Sequence, residues 1–112
     1  MVANQSNDRQ LEQLLLNGDI DAFNQARAQV DACTLRDLDL RSLDLRSLNA
    51  GNLDMQGCEL KHTDLRGIDF SQTNLQGASI SCAKISGTLF PNNLSADEIT
   101  LSLVHGTRMR CS

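Results

Sequence analysis

The chain has 112 residues, 40% of them apolar and only 3% aromatic, and a formal net charge of −4. That size suits one domain, the apolar share argues against disorder, and three Phe without Trp or Tyr leave the core to aliphatic side chains. The acidic balance leaves no overall basic footprint for nucleic acid, and no apolar run approaches the roughly 20 residues that cross a bilayer.

At the start, "MVANQSNDRQ" has neither a positive n-region nor an apolar h-region, so no signal peptide is expected. Asn7 and Gln10 have the spacing of a capping box. Leu11, Leu14 and Leu15 then form a helical stripe that stops at Gly18. Asp19 is placed to cap a second helix carrying Ile20, Phe23, Ala26 and Val30 on one side. Residues 8–30 are therefore expected to be a helical hairpin or a broken helix.

From Cys33 the chain divides into fives: CTLRD, LDLRS, LDLRS, LNAGN, LDMQG, CELKH, TDLRG, IDFSQ, TNLQG, ASISC, AKISG and TLFPN. The third position is always apolar: Leu35, Leu40, Leu45, Ala50, Met55, Leu60, Leu65, Phe70, Leu75, Ile80, Ile85 and Phe90. The first is apolar, Cys or Thr, the second is mostly Asp or Asn, and the fifth is Gly at 57, 67, 77 and 87. A helix turns by about 100° per residue, which scatters a five-residue period around its circumference. A straight strand alternates faces, so an odd period flips the leucines with each unit. A short extended piece followed by a corner satisfies both constraints, and Gly at the fifth position suits a corner with positive φ. If each corner is near a right angle, four units close a square coil with first and third side chains inward.

These units resemble the pentapeptide-repeat family, whose pattern is A(D/N)LXX. TDLRG and TNLQG match it closely, AKISG and LDMQG more loosely, and the early units depart from it with Leu38, Leu43, Leu48 and Leu53 at the first position. The resemblance implies a mainly β fold, a right-handed quadrilateral β-helix, or solenoid, of about three coils. Side chains 20 residues apart then stack in columns, among them Ala50–Phe70–Phe90, where the phenyl ring of Phe70 is expected to lean into the space that Ala50 leaves. Leucine-rich repeats, the rival for "LRDLDLRSLDL", need units of roughly 20–29 residues.

After Pro91, Ser95 and Glu98 form a second capping box, with Leu94 and Ile99 at the staple positions and Gly106 as the helix stop. The expected organisation is a single domain, 1–112, with an N-terminal helical cap over 1–32, the β-helix over 33–92 and a C-terminal helix and tail over 93–112. Of the two caps, the C-terminal helix is the better candidate for a homodimer surface, since Leu101 lies off the Ile99–Leu103 line.

No Walker, GxGxxG, GxSxG or HExxH pattern occurs. His62 falls at a corner with Ser42 and Cys82 in its column, which is half of a metal site without a third ligand. His105, before Gly106, suits the negative end of a helix dipole. The carboxylates of position two recur with the repeat and are interleaved with bases, as on a solvated face. No catalytic, cofactor-binding or metal site is expected. Free thiols at Cys33, Cys58, Cys82 and Cys111, with no CxxC, point to a reducing, cytoplasmic setting.

The outward cations of position four, Arg36, Arg41, Arg46, Lys61 and Arg66, form the candidate interaction surface. The expected function is a non-enzymatic scaffold or interaction module for an unidentified protein partner, without direct nucleic-acid binding and without membrane attachment. Some relatives in the resembled family mimic duplex DNA and bind DNA gyrase. Such mimicry needs a strongly anionic cylinder, whereas residues 33–92 hold seven acids against six bases. A secreted effector is a third class, suggested only by the breadth of the family.

Overall fold

The computed structural model describes the backbone of residues 2–112 and the side chains of residues 9–112. Pentapeptide units cannot make long strands, because every fifth residue turns a corner. Regular strand is accordingly confined to β1 (Cys33–Thr34) and β2 (Leu53–Asp54), paired in parallel with Cys33 opposite Leu53. Six single parallel bridges repeat that offset: Asp39 with Glu59, Asp44 with Asp64, Asp54 with Asn74, Glu59 with Ser79, Asp64 with Lys84 and Asp69 with Leu89. Each joins residues 20 apart, so the chain returns to lie beside itself after four units. Three helices complete the described structure: α1 (Val2–Leu16), α2 (Ile20–Arg27) and α3 (Ala96–His105). The expectation of a mainly β chain is thus met only in part, because two extended residues per unit are all the corners allow.

The corners have one construction. The N–H of a first-position residue donates to the third-position carbonyl before it, as from Leu48 to Leu45 (3.0 Å) and from Ile68 to Leu65 (3.2 Å). The fifth-position residue then occupies the left-handed region, as a type II turn requires. Gly57, Gly67, Gly77 and Gly87 do so, and so do Asp37, Ser42, Ser47, Asn52, His62 and Cys82, with φ between 56° and 72°. The corner conformation therefore extends beyond the glycines that signal it.

Third-position side chains fill the interior. Leu35, Leu40, Leu45, Ala50, Met55, Leu60, Leu65, Phe70, Leu75 and Ile80 are buried, whereas Ile85 and Phe90 are only partly so. Phe70 stacks on Phe90 with ring centroids 6.4 Å apart. Polar first positions do not go unsatisfied in this core. Thr63, Thr73 and Thr88 donate their hydroxyls to the carbonyls of Leu40, Ala50 and Leu65 at 2.7, 2.6 and 2.6 Å. Cys58 does the same to Leu35 O at 2.9 Å, and burial pushes its thiol up to about 11, out of the reactive range.

The ladder is interrupted at one place among the described residues. Rows 48–52 and 68–72 lack a bridge, and Asn52 N donates to Gln72 O, 20 residues on, where other rows use an offset of 19. A crevice of about 160 Å³ opens there, lined by Leu48, Asn49, Ala50, Gly51, Asp69, Ser71 and Gln72.

At the N-terminal end, α1 gives way to α2 through Gly18 at φ 74°. Asp19 accepts from Ala22 N at 3.2 Å as the cap of α2. Asn7 and Gln10, the expected capping box, lie inside α1, where a helical backbone rules out the N-cap conformation. The side chain of Asn7 lies outside the described residues. The polar contacts that seat this cap come from α2. Asn24 donates to Ser47 O and accepts from Asn49 N, both at 2.8 Å. Arg27, 5% exposed, donates to Val30 O and to Gly51 O at 2.6 Å each.

At the other end Ser95 accepts from Glu98 N at 3.1 Å, and Gly106, at φ 71°, ends α3. The expected reciprocal half of that capping box is absent. The Glu98 carboxylate instead takes Arg110, from its backbone N–H at 2.9 Å and its guanidinium at 3.0 Å, and so ties down the tail. No helix among the described residues is long and apolar enough to cross a membrane.

Candidate interaction surface

The corner geometry gives position two a structural task beyond solvation. Its side-chain oxygen accepts the backbone N–H two residues on: Asp39 from Arg41, Asp44 from Arg46, Asp54 from Gln56, Asp64 from Arg66, Asp69 from Ser71 and Asn74 from Gln76, at 2.9–3.2 Å. An Asx turn of this kind explains Asp or Asn there. Backbone spacing then puts the position-four side chain beside the same carboxylate.

Two rows carry paired forks. Arg41 grips Asp39 through Nε and Nη2 at 2.8 Å each. Arg46 grips Asp44 at 2.9 and 2.7 Å and reaches Asp64 in the next row at 3.4 Å. Arg66 grips Asp64 at 2.9 and 2.7 Å, and Arg36 reaches across rows to Asp54 at 2.7 Å. Hydrogen bonds from Arg41 and Arg46 hold Asp39 and Asp44 below the usual carboxylate range, and the Arg66 bond takes Asp64 down to about 2. The same contacts push the arginines up, so the forks stay charged at all ordinary pH.

Lys61 differs from its neighbours in the candidate set. It is exposed and has no ion pair among the described residues. With Leu16, Asp39, Arg41, Ser42, Leu43 and His62 it lines a shallow concavity of about 580 Å³ at the foot of α1. His62 and Cys82 are both exposed corner residues, and no group of three metal-ligating side chains occurs among the described residues. Residues that sequence patterning did not single out also belong to this face. Arg108 of the tail crosses to Glu59 at 2.6 Å and to the carbonyls of Gly77 and Gly57 at 2.8 and 3.2 Å. Its target lies 49 residues back, and no periodicity announces a contact that long.

The family model for pentapeptide repeats matches residues 54–90 in eight copies. Residues 54–90 are pentapeptide repeats. The five-residue units over 33–53 lie outside that match, yet the pentapeptide repeats and these leucine-rich units share one 20-residue offset through Cys33–Leu53, Asp39–Glu59 and Asp44–Asp64. Leu at the first position and the LNAGN unit account for the weaker pattern. No curated protein and no solved structure matches the chain.

Proposed function

We propose that this chain is a non-enzymatic docking module, in which a right-handed quadrilateral β-helix of about three coils, capped by helices, holds a rigid charged face against a protein partner. The parallel offset of 20 residues and the left-handed corners support the coil. One observation carries the functional reading: Arg41, Arg46, Lys61 and Arg66 recur on two adjacent rows at fixed register, each arginine locked to a carboxylate and Lys61 left open. Pre-organised side chains lose little entropy on docking. The lysine beside the concavity is the free cation that an acidic partner group would meet.

The test is affinity capture from the native host with wild type, Lys61→Glu and Arg41→Glu/Arg66→Glu, each checked by circular dichroism for an intact fold. The expected outcome is a specific partner recovered by wild type and lost with both variants. Equal recovery by all three would remove these rows as the contact surface. Gyrase mimicry is disfavoured, because the arginines mask the acids that a DNA-like cylinder would need to display. A purified supercoiling assay is expected to show no protection from quinolones.

A further inference from the structure

The C-terminal end of the repeat run is covered over only half its area. Helix α3 and the tail take the edge groups of residues 77–82: Gly77 N donates to Met109 O (2.7 Å), Met109 N to Ala78 O (2.9 Å), Ile80 N to Ser102 Oγ (2.9 Å) and Cys82 N to Leu103 O (3.0 Å). The two rows that follow, 83–92, receive nothing. One coil earlier, Leu65, Gly67 and Phe70 donate to the carbonyls of Lys84, Ser86 and Leu89, whereas the equivalent N–H groups of Ile85, Gly87 and Phe90 have no partner. Their side chains follow the same pattern: Leu65 and Phe70 are buried, but Ile85 and Phe90 are partly open and Leu89 is 58% exposed.

Beside this open shelf stands a ridge. Ile99, Ser102 and Leu103 turn one side of α3 to the core. The opposite stripe, at i, i+4 and i+7, is Asp97, Leu101 and Val104, with Leu101 40% and Val104 62% exposed. Among the described residues neither Asp97 on the ridge nor Lys84 on the shelf has an ion-pair partner.

We propose that two copies of this chain join end to end about a twofold axis, the α3 ridge of each seated on the open 83–92 shelf of the other. A twofold contact requires one surface to carry both halves of its own complement. This end does: an apolar ridge with one acid, and an apolar shelf with one lysine. A foreign partner would need only one of them. The joint also covers the unpaired edge, which otherwise invites uncontrolled strand addition. The contact is independent of the charged rows and of whatever partner they hold.

Sedimentation equilibrium of the full chain tests it. Wild type is expected at twice the 12.3 kDa chain mass. Val104→Glu, at an exposed position, is expected to keep its melting temperature and run as a monomer. Lys84→Glu sets acid against acid and weakens the dimer roughly tenfold or more, while Lys84→Glu/Asp97→Lys in one chain restores opposite charges at both symmetric contacts and regains it. A wild type that stays at the single-chain mass at every concentration would overturn the proposal. So would a Val104→Glu dimer as tight as wild type, or a double variant no tighter than Lys84→Glu alone.

Discussion

A fifth-position side chain in this chain sits where L-residues are strained. Ser42 holds φ 62° and His62 58°, in the region that costs a residue with a Cβ about 1–2 kcal/mol. Glycine removes that strain but loses about 0.5–1 kcal/mol of chain entropy on folding. Ser42→Gly is therefore expected to stabilise by about 0.5–1 kcal/mol, read as a higher urea midpoint. The reverse change fails twice at Gly57. Its φ is 72°, and an added Cβ would lie 2.0 Å from Asp37 Oδ1, so the carboxylate of the row below must move. Gly57→Ala is expected to lower the midpoint by about 1–2 kcal/mol. Two midpoints unchanged from wild type would mean that the corners are not held in this conformation.

Between elements, the contacts that seat the caps are polar and long-range. Arg27 of α2 is a buried guanidinium with no carboxylate; it serves the carbonyls of Val30, Gly51 and, at 3.5 Å, Asp31, while its Nε has no partner. Hydrogen bonds to a charged donor contribute about 1.5–3 kcal/mol, offset in part by the cost of burying the charge. Arg27→Met keeps the apolar volume and strands those carbonyls, so it is expected to destabilise by about 1–3 kcal/mol in urea unfolding. A midpoint equal to that of wild type would show that α2 does not depend on this link. The contrast in legibility has a physical cause. Leu40, Leu60 and Ile80 could be read as core because burial imposes a period that survives in sequence. The Asp39–Arg41 pairing was visible as adjacency two residues apart, although the Asx turn that makes Asp necessary there was not. Arg27–Gly51, Asn24–Ser47 and Arg108–Glu59 repeat nowhere, and single polar contacts across 23–49 residues leave no periodic trace. The capping boxes misled for a related reason: Glu98 has the right spacing to cap Ser95, but Arg110, unseen from local sequence, is the stronger partner.

For the molecule as a whole, the surface charge is largely neutralised by internal pairing. Forks at Arg41, Arg46 and Arg66 and the clasps of Arg108 on Glu59 and Arg110 on Glu98 match cation to anion on the same chain. The resulting field is muted at neutral pH and fragile in acid. Asp64, held at about 2 by Arg66, and Asp39, Asp44 and Glu98, lowered chiefly by hydrogen bonds from Arg41, Arg46 and Arg110, all have folded values below those of an unfolded chain, roughly 3.9 for Asp and 4.3 for Glu. A depressed folded value contributes stability that is present above the unfolded pKa and is lost as pH falls through the folded one. The melting temperature is therefore expected to change little between pH 7 and 5 and to fall between about pH 4 and pH 2, as protonated carboxylates leave the arginines facing one another. Arg66→Gln, which removes the main cause of the Asp64 shift, should make that acid limb shallower while leaving the α3 clasp intact. A limb of identical steepness in the variant would show that Asp64–Arg66 has no part in acid stability, and that the ladder on this face is decoration rather than support.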